Sequence, residues 1–242
     1  MKNQYFGDIN DYRKYGLLRA IIRASDMRVL VAWMLTPDDG SGDGRFTAYL
    51  TQSERWAKHD SVLYQQLQVL TARAQERNVR LIEATDLLRH ANYYTDLTPD
   101  GAAAREQWFR VLLGRSTSSD LVFLDPDNGI EVKSKPYGNR HSSKYAYWPE
   151  IEGLWNAGKS LMIYQHFVRE KRSNFIQKVL QSLKQRMPDS TVEAFSTSHV
   201  VFFMVLQPRH NEHQAPIVQE VDRNWAGQIA CWNRPGMDAS LR

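Results

Sequence analysis

The sequence predicts an α/β fold: a mostly parallel sheet with helices on both faces and an antiparallel strand pair at its C-terminal end. Three observations predict it. Short apolar runs alternate with longer stretches of helical periodicity, as when strands lie buried between two helix layers. The last two runs, 191–196 and 200–206, are joined only by Thr197, Ser198 and His199, too few residues for a parallel crossover, so they must pair antiparallel. Residues 120–131, D-L-V-F-L-D-P-D-N-G-I-E, form an apolar strand that runs into Asp125 and a tight polar loop, where open α/β sheets keep their ligands.

The elements follow in order. Residues 11–24 place Leu17, Leu18, Ile21 and Ile22 among basic residues, an amphipathic helix with Gly16 as its weak point. Residues 29–35 suit a buried strand, closed by the loop T-P-D-D-G-S-G-D-G-R. Leu63, Leu67 and Leu70 give 61–78 a helical period, and V-R-L-I-E-A at 79–84 reads as a second strand. The polar stretch 90–100 reads as loop, 102–113 as helix and 121–124 as the strand that delivers Asp125. Residues 131–147 form a basic loop rich in serine and tyrosine, and long loops in compact domains are often functional lids. A proline at the first helical position opens a helix over 149–157. A strand at 160–164 and a basic helix at 169–187 precede the final pair. Residues 207–242 read as a C-terminal extension whose His210 and His213 sit in a polar tail without partners.

Composition sets outer limits. A chain of 242 residues with 42% apolar and 24% charged residues can bury one large core and fits a single domain. The net charge of +4 and an isoelectric point near 9.1 make a mildly basic surface that tolerates a polyanion. One cysteine, Cys231, excludes an internal disulfide framework and a cysteine-based zinc site, and points to a reducing cytoplasm. No apolar run approaches a membrane span, and the first residues carry no apolar signal region, so no membrane partner is expected.

The candidate site residues carry distinct chemistries. Gly40, Gly42 and Gly44 follow the first strand, where glycines let backbone amides approach a ligand; the same loop also suits a solvated acidic surface. Asp125 can accept a hydrogen bond from an exocyclic amine, while Asp127 and Asn128 shape the adjoining pocket. Glu83 or Asp86, after the second strand, would hold ribose hydroxyls. Lys133, Lys135, Arg140 and Lys144, interleaved with Tyr137, suit phosphates and stacked bases, which makes nucleic acid the leading partner. His166 would project at the same rim. Two other readings stay open at this level. Asp125, Asp127, Glu131 and Lys133 would serve a magnesium-dependent nuclease, and the basic loop alone would serve a non-catalytic binder of nucleic acid or of a partner protein.

Three motifs, in order over roughly residues 5–206, carry a family resemblance. Gly7-Asp8-x-x-Asp11-Tyr12-x-Lys14-Tyr15 is similar to a Gly-Asn-x-x-Asp-Val-x-Lys-His signature. Gly42-Asp43-Gly44-Arg45-Phe46 looks like an Ala-Gly-x-Gly-Arg-Tyr loop, and Asp125-Pro126-Asp127-Asn128 sits where a fourth strand would end in Asp-Pro-Pro-Tyr. Together they resemble the class I S-adenosylmethionine-dependent methyltransferases, most closely the family that methylates an adenine N6 in 23S ribosomal RNA. The resemblance implies a Rossmann-like sheet and S-adenosylmethionine as cofactor. It implies that residues 1–25 help enclose that cofactor, with Lys14, Tyr15, Gly42, Gly44 and Arg45 against it and Asp125, Asp127 and Asn128 at the acceptor base.

Overall fold

The computed structural model describes residues 1–232. Helix α1 (Ile9–Ala24) leads into strand β1 (Val29–Ala32). Helices α2 (Ser53–Trp56), α3 (Ser61–Arg73) and α4 (Arg80–Glu83) then precede strand β2 (Asn92–Tyr94). Helix α5 (Ala102–Arg115) returns the chain to β3 (Leu121–Leu124). A two-stranded side sheet, β4 (Gly129–Ile130) with β5 (Tyr145–Ala146), frames the basic loop. Helix α6 (Trp148–Asn156), β6 (Ser160–His166), α7 (Arg172–Arg186), β7 (Thr191–Ser196), β8 (Val200–Leu206), α8 (Gln214–Trp225) and β9 (Ala230–Cys231) complete the order.

The main sheet has the order β2-β1-β3-β6-β8-β7-β9. Strands β2, β1, β3 and β6 are parallel neighbours, and β8 enters antiparallel between β6 and β7. This is the α/β architecture, Rossmann-like and with an antiparallel ending, that the alternating pattern predicts. Strand residues alternate between two cores because successive side chains leave opposite faces. Val29, Val31 and Trp33 pack with Leu17 of α1, Leu63 of α3 and Trp225 of α8. Leu30, Ala32 and Met34 pack with Leu112 of α5, Ile151 of α6 and Leu180 of α7. The chain runs from β1 outward to β2 and then back to β3 on the other side of β1. The crevice between the carboxyl ends of β1 and β3 is therefore a topological switch point, the usual ligand position in such sheets.

Five expectations need correction. Residues 79–84 are not a strand: they hold the single turn α4, whose Ile82 is buried together with Val79, the residue that caps it three positions earlier. The second strand is instead Asn92–Tyr94, inside the stretch expected to be loop; as a short edge strand it needs little apolar sequence. Asp125 accordingly follows the third strand in chain order. Residues 131–147 are no open lid, because the Asp100 carboxylate accepts from the amides of His141 (2.8 Å) and Ser143 (2.8 Å), and β5 pairs with β4. The extension from residue 207 is part of the core, with His210 buried against the Ser160 hydroxyl at 2.8 Å and His213 at 3.3 Å from Asp26; residues 233–242 of it lie outside the described residues.

Gly16 is where α8 meets α1. A methyl group there would fall 1.9 Å from Cζ2 of the fully buried Trp225. Gly16→Ala gains roughly 1 kcal/mol of helix propensity, but it overpacks this contact, which costs about 1–3 kcal/mol or more. The variant should unfold at lower urea concentration than the wild type, the reverse of what an exposed helical glycine would give.

Candidate functional site

Helix α1 is positioned by its cap. The Asp8 carboxylate accepts from the amides of Asn10 (2.8 Å) and Asp11 (3.0 Å), which fixes where the helix starts. Asp11, Lys14 and Tyr15 then share one helical face, spaced three and four residues apart. Lys14 is buried, and its ammonium donates to Asp11 at 2.9 Å and to Asp125 at 2.7 Å. The other Asp11 oxygen accepts from the Tyr15 hydroxyl at 3.0 Å and the Gly7 amide at 3.1 Å. Lys14 Nζ also lies 5.4 Å from the ring centroid of Tyr164 on β6 and 5.9 Å from that of Trp33.

The switch point itself is closed by Asp127. Its carboxylate accepts from the Thr36 hydroxyl, just past β1, at 2.7 Å, and lies 2.6 Å from the terminal ammonium of Met1. That ammonium also donates to the carbonyls of Asp125 (3.0 Å) and Met34 (3.2 Å). Met34 adopts a φ of 47°, a left-handed conformation uncommon outside glycine, so the chain turns sharply as it leaves β1. Asn128 is held through its backbone: its amide donates to Lys144 O (3.0 Å) and its carbonyl accepts from the His166 amide (3.0 Å). Gly129, with φ 121°, lies so close to β6 that a methyl group would meet the Gln165 amide at 2.3 Å.

These groups surround a cavity of about 430 Å³, within the usual range for small-ligand sites. Of the residues anticipated from sequence, Lys14, Gly44, Asp125, Asp127, Asn128, Lys144 and His166 line it. Others lie elsewhere. Tyr15 is buried behind the cavity wall on Asp11. Gly42 and Arg45 are exposed, and Arg45 borders a separate open cleft. Glu83 accepts from the Trp33 indole at 2.6 Å, and Asp86 borders another cleft beside Arg19 and Arg23. Lys133 and Arg140 are exposed on the basic loop; Lys135 is half-buried and accepts through its carbonyl from Tyr147, against which Tyr137 packs edge-on. The nuclease set is not assembled. Glu131 accepts from the Trp148 amide at 2.9 Å, at the start of α6, and among the described residues no group of three or more His, Cys, Asp or Glu is placed to hold a metal ion.

Part of the wall was given no individual role from sequence: Asp8, Asp11, Asp39, Asp43, Tyr164 and Phe46. Asp8 and Asp11 were legible as carboxylates six and three residues before Lys14. Six carboxylates thus face the cavity, against Lys2, Lys14, Lys144 and the terminal ammonium. Lys2 is paired with Asp39. Burial pushes Asp8 up to about 6, with the neighbouring Asp11 charge adding to the shift. Burial opposes the charge of Lys14, but Asp11 and Asp125 outweigh it and raise its pKa. Asp125 is raised by burial despite Lys14. At Asp127 burial acts upward, yet the terminal ammonium and Thr36 prevail and hold it below the usual carboxylate range.

No family model and no curated protein matches the sequence. Among solved structures, human methyltransferase-like protein 13 in complex with SAH is similar over 88% of this chain and 91% of its own, at 12% identity and a TM-score of 0.30. The strand order and the cavity, rather than that likeness, carry the assignment of fold and site.

Two outcomes follow. Asp125→Ala leaves the buried Lys14 with one carboxylate and should lower stability by about 3–5 kcal/mol in chemical denaturation, the usual cost of breaking a buried pair. Asp8 keeps its proton to about pH 6 when folded and loses it near 3.8 when unfolded, so the folded chain binds more protons between these values and loses stability as pH rises through them. Asp8→Asn preserves the cap and removes that slope. The unfolding free energy of the variant relative to wild type should therefore climb from about pH 4 to about pH 6 and stay level above.

Proposed function

We propose that the protein is an S-adenosylmethionine-dependent methyltransferase acting on nucleic acid. The observation that carries this reading is a carboxylate-rich cavity of small-ligand size at the topological switch point of a Rossmann-like sheet. The donor set fits the cofactor. S-adenosylmethionine bears positive charge on its sulfonium and its ammonium, and Asp8, Asp43 and Asp127 give the wall the opposite sign. Phe46, 70% exposed at the same cavity, offers an apolar face for a purine ring. When bound, the cofactor supplies a methyl group activated for transfer to a nucleophile.

The chain's own residues divide the remaining work. Asp125 positions Lys14 and so keeps α1 over the sheet. Asp127 and Asn128 follow at the loop, where a carboxylate and an amide orient an amino or other base nucleophile by hydrogen bonding. Asn128 supplies no ring for stacking, so a flat base would rest on Tyr5 instead. Lys144 and His166, at the cavity edge, join the exposed Lys133 and Arg140 in facing phosphates. The reading supports an enzyme of the cell interior.

Isothermal titration of the full chain should show both S-adenosylmethionine and S-adenosylhomocysteine binding, the sulfonium form more tightly. Asp127→Asn should shrink that preference by roughly tenfold, about 1.4 kcal/mol, and dialysis against a chelator should leave affinity unchanged. Absence of heat with either ligand at millimolar concentration overturns the proposal. Transfer of a labelled methyl group to RNA or DNA from total cellular nucleic acid then identifies the acceptor class.

A further inference from the structure

A neighbouring face of α1, reached at Arg13 just before Lys14, carries a second cluster. Arg13 is 7% exposed, and only one of its guanidinium nitrogens has a partner, Nη2 donating to Gln228 at 2.9 Å. Its Nε and Nη1 are buried and meet no acceptor among the described residues. The indole nitrogen of Trp56, itself 6% exposed, is likewise without a partner. Buried donors of this kind are rare because leaving them unmade costs the full desolvation of the group, and for a guanidinium that cost is larger still.

Both residues line one cleft of about 300 Å³. Arg55 and His199 line it too, and no carboxylate does. The Arg13 and Arg55 guanidinium groups lie 5.6 Å and 5.2 Å from the Trp56 ring centroid, so the indole holds two cations at one place. Like charges gathered on one ring without an acid between them are stable together only when an anion or solvent neutralises them. The hairpin that carries His199 joins β7 to β8, and Val200 pairs with His166 at the carboxyl end of β6, so the cleft opens on the same rim as the cavity at Asp125.

The geometry points to a phosphate-binding site in this cleft, with Arg13 and Arg55 as the charged donors and the Trp56 indole as a neutral one. A phosphate group accepts several hydrogen bonds at once and matches the planar fork of arginine. The phosphate would come from a polynucleotide backbone or from a free phosphomonoester. The assignment does not rest on the methyltransferase reading, since none of these residues lines the other cavity.

The test uses the full chain, inorganic phosphate as probe, and a ten-nucleotide single-stranded RNA as competitor, at constant ionic strength set with chloride. Phosphate should bind and raise the melting temperature of the wild type. Arg55→Gln, a change at an exposed residue, should weaken phosphate binding about tenfold or more, as should Arg13→Gln if it folds. Trp56→Phe should weaken it less, because it removes a neutral donor. Competition by the RNA identifies the backbone as the source; phosphate binding without competition identifies a free phosphomonoester. Phosphate binding that is absent, or unchanged in Arg55→Gln and Arg13→Gln, overturns the site. S-adenosylmethionine titrated into Arg55→Gln should bind as in the wild type, so failure of either proposal is read separately.

Discussion

The buried ion pair between Lys14 and Asp125 is the contact on which the rest of the site depends. It joins residues 111 positions apart, one on the first helix and one at the end of β3. A lysine ammonium in such a place has lost its water, and only the two carboxylates of Asp11 and Asp125 keep it charged. Both aspartates have further duties. Asp11 holds Tyr15 and the Gly7 amide, and the Asp125 carbonyl receives the terminal ammonium that also meets Asp127. The network is nearly closed on itself, which suits a wall that must hold its shape while a ligand comes and goes.

Such an arrangement does little for stability that a packed apolar cluster would not do better, because desolvation offsets most of the attraction. Its consequence is geometric. The first turns of α1 are tied to the end of β3 through Lys14, and the helix cap at Asp8 places a further carboxylate at the cavity. Asp127 reinforces this through Thr36, tying the loop after β3 to the loop after β1 across the switch point. The sharp turn at Met34 and the close passage of Gly129 over Gln165 serve the same compression, bringing three chain segments into one small volume.

Much of this was legible before any coordinates. The antiparallel ending follows from three residues between two apolar runs, and β7 and β8 span the predicted ranges. The D-P-D-N segment stands at the cavity because a strand entering a turn at a switch point can put it nowhere else. What was not legible has physical reasons. The turn α4 and its cap carry Val79, Leu81 and Ile82, too short a run for strand and helix periods to differ, and β2 lies at a sheet edge where polar residues suffice. Glu83 and Asp86 were placed by the strand that was not there. The cavity wall formed by Asp39, Asp43 and Phe46 depends on how an irregular loop folds back, which no periodicity records. Arg13, in turn, looked like one more basic residue on a solvated helix face; only the packing of α8 and α2 against it shows that it is buried.

Helix α1 therefore carries two opposite electrostatic surfaces. Asp8 and Asp11 contribute carboxylates on one side, and Arg13 contributes on the other a guanidinium with two nitrogens that meet no acceptor among the described residues, with Trp225 against Gly16 fixing the helix between them. Because the helix is clamped at both its cap and its middle, neither surface can rotate to neutralise the other. A single rigid element then presents a carboxylate-rich pocket suited to a cation and an arginine-rich cleft suited to an anion, both at the carboxyl rim of the sheet.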